Sequence, residues 1–131
     1  MTGIRNQREG FWYSEYEEDL PMPVVNDSPW EGQEEFLKAL IFLENRLMKE
    51  YQRRVDIANA GGKWESYGYV NSYRGVSVCR ICHISNGSRE FSCKGFIWPE
   101  GFRHYIKKHN VKPSSNFISS IGPGLVRIDN I

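Results

Sequence analysis

Long apolar runs are missing from this chain. The longest is five residues, Ala39 to Leu43, against the roughly 20 that a membrane-spanning helix needs. Met1 to Gly10 has no apolar stretch of the kind that directs secretion. Together these absences predict a soluble, cytoplasmic chain with no membrane partner. Cysteine is scarce at three residues. An odd number argues against a disulfide framework and leaves metal binding, reactivity or plain burial. There is no internal repeat, no low-complexity tract, and no Ser-His-Asp order or paired-carboxylate motif that would signal hydrolytic catalysis.

What is present suffices for a core. With 131 residues, of which 40% are hydrophobic and 14% aromatic, the chain is predicted to form a single domain over residues 1–131 and to bury roughly two-thirds of its unfolded surface. Its net charge of +1 hides a division. Residues 1–35 carry nine acids against two arginines, a net −7, while the remainder has 15 basic and 7 acidic residues, a net +8. Such separation suggests an electrostatic clasp within the chain or two surfaces for different partners.

Residues 1–27 read as an extended arm, in which Phe11, Trp12, Tyr13 and Tyr16 interleave with Glu15, Glu17, Glu18 and Asp19 ahead of Pro21-Met22-Pro23. The arm either lies along the body or serves as a partner-binding segment. Residues 28–62 form the next unit. Ser28-Pro29 is a helix-start pair, and Phe36, Leu40, Leu43, Leu47 and Tyr51 recur at spacings of three and four. The pattern predicts one amphipathic helix from about Pro29 to Ile57, stopped by Gly61-Gly62. Its apolar stripe is wide enough to pack on a sheet and on a second subunit.

Residues 63–131 form the third unit. A hairpin is predicted from Trp64–Val70 and Val76–Val78 with a turn between them, then a turn at Asn86-Gly87 and short strands over 89–92 and 95–98. Pro99-Glu100 opens a helix through about His109, with Asn110 as a left-handed stop. A turn of helix around 116–119, the breaker Gly122-Pro123-Gly124 and a strand over 125–128 complete the pattern. The fold class is therefore α+β: a long N-terminal amphipathic helix packed on a small antiparallel sheet with a zinc-finger-like ββα unit.

One constellation carries chemistry. Cys79-Arg80-Ile81-Cys82 forms a knuckle whose thiolates can face one ion, and His104 and His109 sit on the later short helix. Both pair spacings fall in the range used by zinc, whose borderline softness suits a tetrahedral set of two sulfurs and two nitrogens. The 21 residues between Cys82 and His104 exceed the dozen or so of a DNA-reading finger, which argues against a standard base-reading role. On an ideal helix His104 and His109 lie about 140° apart, so the last turn must tighten or His109 must sit at its edge. His83 and Cys93 are alternative ligands.

The segments Cys79-Arg-Ile-Cys82, Asn86-Gly-Ser88, Trp98-Pro-Glu-Gly101, His104-Tyr105 and His109-Asn-Val-Lys-Pro113 resemble a group of small, uncharacterised bacterial cytosolic proteins with a zinc-finger-like CxxC…NGS…WPxG…HY…H pattern. The likeness spans roughly residues 75–118. It implies a bacterial or phage source and a metal site at these positions, and it brings no activity. Where those sequences carry glycine after the second cysteine, this one has His83.

A zinc ion with four protein ligands has no open position for water and stabilises a fold rather than catalysing hydrolysis. Residues 80–112 carry seven basic residues against two acids, and Arg103, Lys107 and Lys108 project from the metal-anchored helix. The leading reading is a non-catalytic macromolecular-binding module that takes a protein or a second copy of itself, with nucleic acid as a further candidate partner. The alternative is a metal-dependent hydrolase or nuclease with three ligands and a bound water.

Overall fold

The computed structural model describes residues 7–63 and 70–121. Its elements, in chain order, are β1 (Gln7–Arg8), α1 (Gln33–Asn59), β2 (Val70–Val78), β3 (Ser85–Cys93), β4 (Phe96–Pro99), α2 (Phe102–His109) and α3 (Ser115–Ile121). The architecture is α+β, with a long helix against an open sheet that, among the described residues, has four strands in the order β1-β4-β3-β2. Strands β2, β3 and β4 pair antiparallel, and the two-residue β1, contributed by the arm, adds in parallel beside β4.

The periodic stripe of α1 becomes core: Phe36, Leu40, Leu43 and Leu47 are buried, as the burial of one helix face requires. They meet Phe91, Phe96 and Trp98 from the sheet and Phe102 and Ile106 from α2. Phe117 of α3 stands at the centre, with ring centroids 5.2 to 5.8 Å from those of Phe36, Phe96, Trp98 and Phe102. Ser114 caps this short helix by accepting the Phe117 N–H at 3.2 Å.

Four predicted details change. Helix α1 starts at Gln33 rather than Pro29. The Trp30 indole donates to the Val111 carbonyl, and the Trp30 N–H is taken by Gln33 Oε1, so residues 28–32 are held outside the helix. The expected turn over 71–75 lies inside β2, where the register with β3 slips between Ser72 and Ser77. Asn86-Gly87 is likewise inside β3 and makes no hairpin. The reversal between β2 and β3 is instead the cysteine knuckle itself, closed by Cys79 N–H to Ile84 O and His83 N–H to Cys79 O. Pro99 ends β4, and α2 opens three residues later.

Other expectations have direct counterparts. Helix α1 stops at Asn59, where the Gly61 and Gly62 N–H groups return to the Ala58 and Ile57 carbonyls, the pairing of a Schellman stop. Asn110 closes α2 in the left-handed region at φ 53°. Lys94 and Gly95 both have positive φ, as a two-residue hairpin turn between β3 and β4 demands. The predicted strand over 125–128, the breaker at 122–124 and the Trp64–Tyr69 part of the first hairpin lie outside the described residues.

Candidate metal centre

The knuckle sits where β2 hands over to β3, and α2 runs back past it. This brings Cys79, Cys82, His104 and His109 together, with one ligand atom from each lying within 4.8 Å of all the others. Cys79 Sγ is 3.4 Å from His109 Nε2, and Cys82 Sγ is 3.3 Å from His104 Nε2. The two rings lie edge to face with centroids 5.3 Å apart. His109 meets the site from the last residue of α2, which is how the angular mismatch of a five-residue spacing is resolved. Cys79 is fully buried and Cys82 is exposed, so the cluster opens to the surface on one side.

The surroundings favour the ligating forms. Burial alone would raise the Cys79 thiol, but the N–H groups of Cys82 and Ile81, with the side chains of Cys82 and Tyr105, outweigh it and bring the thiol below its usual range. Those N–H groups lie 3.3 Å (Ile81) and 3.5 Å (Cys82) from Sγ. Burial, reinforced by the neighbouring His109 and Lys108, lowers His104 and keeps its imidazole neutral, the form a metal requires. This donor set can hold a metal ion.

Sequence reasoning missed the groups that fix the ligands. Burial raises Tyr105, so its hydroxyl stays protonated while it accepts the Arg80 N–H at 2.7 Å. The end of α2 is tied down through Asn110. Its side chain donates to the Asn26 carbonyl, while Asn26 Nδ2 donates to the Asn110 carbonyl. Gln33 Nε2 donates to Asn110 Oδ1, and the Asn26 N–H reaches the His109 carbonyl. Nothing local in the sequence links Asn26 to Asn110, its partner 84 positions away.

The two alternative ligands fall outside the group of four. His83 is exposed, in the left-handed region at φ 63°. Cys93 ends β3 packed against the core, and burial raises its thiol. The three basic residues singled out in sequence share one cleft of about 480 Å³, with Ile41, Asn86, Gly87, Glu100 and the ligand His104 also on its walls. Lys107 and Lys108 are exposed, whereas Arg103 is half-buried and 3.5 Å from the buried Glu44 carboxylate. No described residue of the acidic arm lines that cleft. Among the described residues no helix is long and apolar enough to cross a membrane. No family model, curated protein or solved structure matches the chain.

Proposed function

We propose that this chain is a non-catalytic binding module whose fold is fastened by a structural zinc ion on Cys79, Cys82, His104 and His109. The observation that carries the reading is the convergence of two sulfurs and two imidazole nitrogens on one point. Tetrahedral zinc, with Zn–S of about 2.3 Å and Zn–N of about 2.0–2.1 Å, sets sulfur and nitrogen about 3.5 Å apart; the two close pairs are 3.4 and 3.3 Å. Four protein donors saturate the ion, which favours a structural over a hydrolytic role. The resemblance to zinc-finger-like bacterial proteins supports the same ligands.

The partner surface in this reading is the outward side of α2. Arg103, Lys107 and Lys108 line one cleft beside the metal and suit an acidic protein surface or a nucleic-acid backbone. Exposure of Cys82 favours the second reading, a hydrolase or nuclease in which that ligand gives way to water. Elemental analysis with X-ray absorption separates the two. One zinc per chain with two sulfurs and two nitrogens supports the structural role. A three-ligand ion with bound water, together with nuclease or esterase activity that follows metal content, overturns it.

A further inference from the structure

The turn at residues 14–20 of the arm and the outward side of α2 carry opposite charges, and neither finds its counterpart within the chain. Glu15, Glu18 and Asp19 are exposed on that turn, and among the described residues none of their carboxylates has an ion-pair partner. Lys107 and Lys108 are exposed and, among the described residues, equally without a paired carboxylate. The neighbouring charges are already engaged: Glu17 with Arg8, Arg103 with Glu44 and Glu100 with Arg89. The groups left over are carboxylates on the turn and ammonium groups on the helix.

Each surface also has an apolar member. The turn is held in one shape by Ser14, whose hydroxyl accepts the N–H groups of Tyr16 and Glu17 at 3.3 and 3.2 Å, and by the bidentate Arg8–Glu17 pair at 2.6 and 3.0 Å. It leaves Tyr16 87% exposed among the acids. On the other surface Ile41 of α1, 37% exposed, lines the cleft that Lys107 and Lys108 share. An aromatic ring covers such an aliphatic side chain and attracts an ammonium group, so ring and carboxylates together match isoleucine and lysines. Two free lysines are few for a nucleic-acid backbone, where a strongly salt-dependent binder makes about 6–10 phosphate contacts. They suit the few carboxylates of one turn.

The two surfaces lie on different sides of the molecule. The arm is seated against the Phe102 and Tyr105 side of α2 through Trp12, whereas the lysines border the cleft beside His104, which no described arm residue lines. Opposite patches so placed fit one another between copies rather than within one, as in a head-to-tail interface. We infer that the acidic turn around Tyr16 docks on the side of α2 bearing Lys107 and Lys108 in a second copy of this chain, each copy supplying the acidic protein surface for another. The inference rests on the reading of that side of α2 as the partner surface and needs no particular metal. Such a contact of exposed charges is weak, concentration-dependent and screened by salt.

The test is sedimentation velocity on the full-length protein up to about 1 mM, at about 0.05 and about 1 M salt. The expected result is a weight-average mass that climbs with concentration at the lower salt and stays at the monomer value at the higher. Glu15→Lys, Glu18→Lys and Asp19→Lys together, or Lys107→Glu with Lys108→Glu, should each weaken self-association by at least about ten-fold, since like charges then face each other. An equimolar mixture of the two variants, in which opposite charges face again, should recover it. The fold and metal content of both variants are checked beforehand by NMR and elemental analysis. If one misfolds, a dilution series of the ¹⁵N-labelled wild type decides, in which the Tyr16 and Lys107 amide peaks should move together. A wild type that is monomeric at every concentration overturns the inference, as does a mixture of folded variants that stays monomeric or a variant that associates as the wild type does. Titration with duplex DNA separates the two levels. If the monomer binds DNA through Lys107 and Lys108, the partner of that face is nucleic acid and only this inference falls. If reversing the lysines changes neither self-association nor DNA binding, the reading of α2 as the partner surface falls with it.

Discussion

Cys79 is fully buried, which alone would raise its thiol, yet the N–H groups of Cys82 and Ile81 and the side chains of Cys82 and Tyr105 bring it below its usual range. On the zinc proposal, Cys79→Ser and His104→Ala should each abolish metal binding and lower stability by several kcal/mol, since binding to a site absent from the unfolded chain is folding energy. Metal analysis and thermal unfolding with and without chelator check this; unchanged melting after chelation would sink it. Glu44 is the other residue whose surroundings set its chemistry. It is 2% exposed, accepts the Trp98 indole N–H at 2.8 Å, and has the Arg103 guanidinium 3.5 Å from its other oxygen. Burial pushes its pKa up to about 7, against the opposing effects of Trp98 and Arg103. A raised carboxyl pKa means that the folded state holds a proton the unfolded state has released. Stability therefore falls as pH rises from about 4.5 through about 7, by on the order of 3 kcal/mol. Glu44→Gln should flatten that part of the pH profile and raise stability at pH of about 8, where denaturant midpoints of the two proteins should differ most. Parallel profiles would refute the assignment. The position was legible in sequence, because residue 44 follows Leu40 by four and precedes Leu47 by three, on the apolar stripe; its partner on β4 was not, since nothing local links residues 44 and 98.

Among the elements, the helices were more legible than the strands. The stripe of α1, the left-handed stop at Asn110 and the capped start of α3 are local properties, readable from neighbours three or four residues away. The strands went wrong where turn residues serve another purpose. Asn86-Gly87 has the composition of a hairpin turn, but the knuckle already reverses the chain, and Gly87 sits inside β3 at φ +124°. Its role is contact with the turn between β4 and α2: a Cβ there would lie 2.6 to 2.9 Å from the Glu100 side chain. Glu100 in turn accepts the Ser88 N–H at 3.0 Å and pairs with Arg89 at 3.4 Å. A Cβ on Gly101 would meet the Asn86 carboxamide at 2.5 to 2.7 Å, so the NGS and PEG segments interlock. Gly87→Ala combines backbone strain with overpacking and should cost about 3 kcal/mol, whereas Gly101→Ala carries overpacking alone at about 1–2 kcal/mol. Denaturant unfolding of the two variants should preserve that order; equal or negligible losses would show that the interlock carries no stability. If the outward side of α2 contacts a nucleic-acid backbone, replacing Arg103, Lys107 and Lys108 together should weaken binding to duplex DNA equally for all sequences. It should also flatten log K against log salt by about 0.9 per lost phosphate contact. An unaltered slope assigns that face to protein.

For the molecule as a whole, the division of charge suggested a clasp in which the acidic arm covers the basic body, and the contacts that seat the arm are of another kind. Trp12 packs edge-on against Phe102 and Tyr105, at centroid distances of 6.3 and 5.8 Å. Gly10 lies so close to the Phe102 ring that a Cβ would be 2.4 to 2.8 Å from it. The Glu9 carboxylate is taken by the Ser114 N–H and hydroxyl, each at 2.8 Å, and β1 adds to the sheet beside β4. Composition reveals the charges but not which side of α2 the arm will face, and it faces the Phe102 and Tyr105 side while the lysines line the cleft beside His104. Seating by packing and hydrogen bonds predicts insensitivity to salt. Between about 0.1 and about 1 M, where the screening length falls from about 10 to about 3 Å, the amides of Gln7 and Glu9, bonded to Gly95 O and Ile97 O, should keep their protection from hydrogen exchange. Gly10→Ala should abolish that protection at either salt by forcing the arm off Phe102, and should cost about 1–3 kcal/mol of stability. Removing residues 1–20 deletes five acids and two arginines and so raises the net charge by three. It should tighten polyanion binding modestly, and only at low salt, because no described arm residue has to leave the basic cleft. Protection that decays as salt is added, or a truncated chain that binds polyanions much more tightly at every salt concentration, would restore the electrostatic clasp.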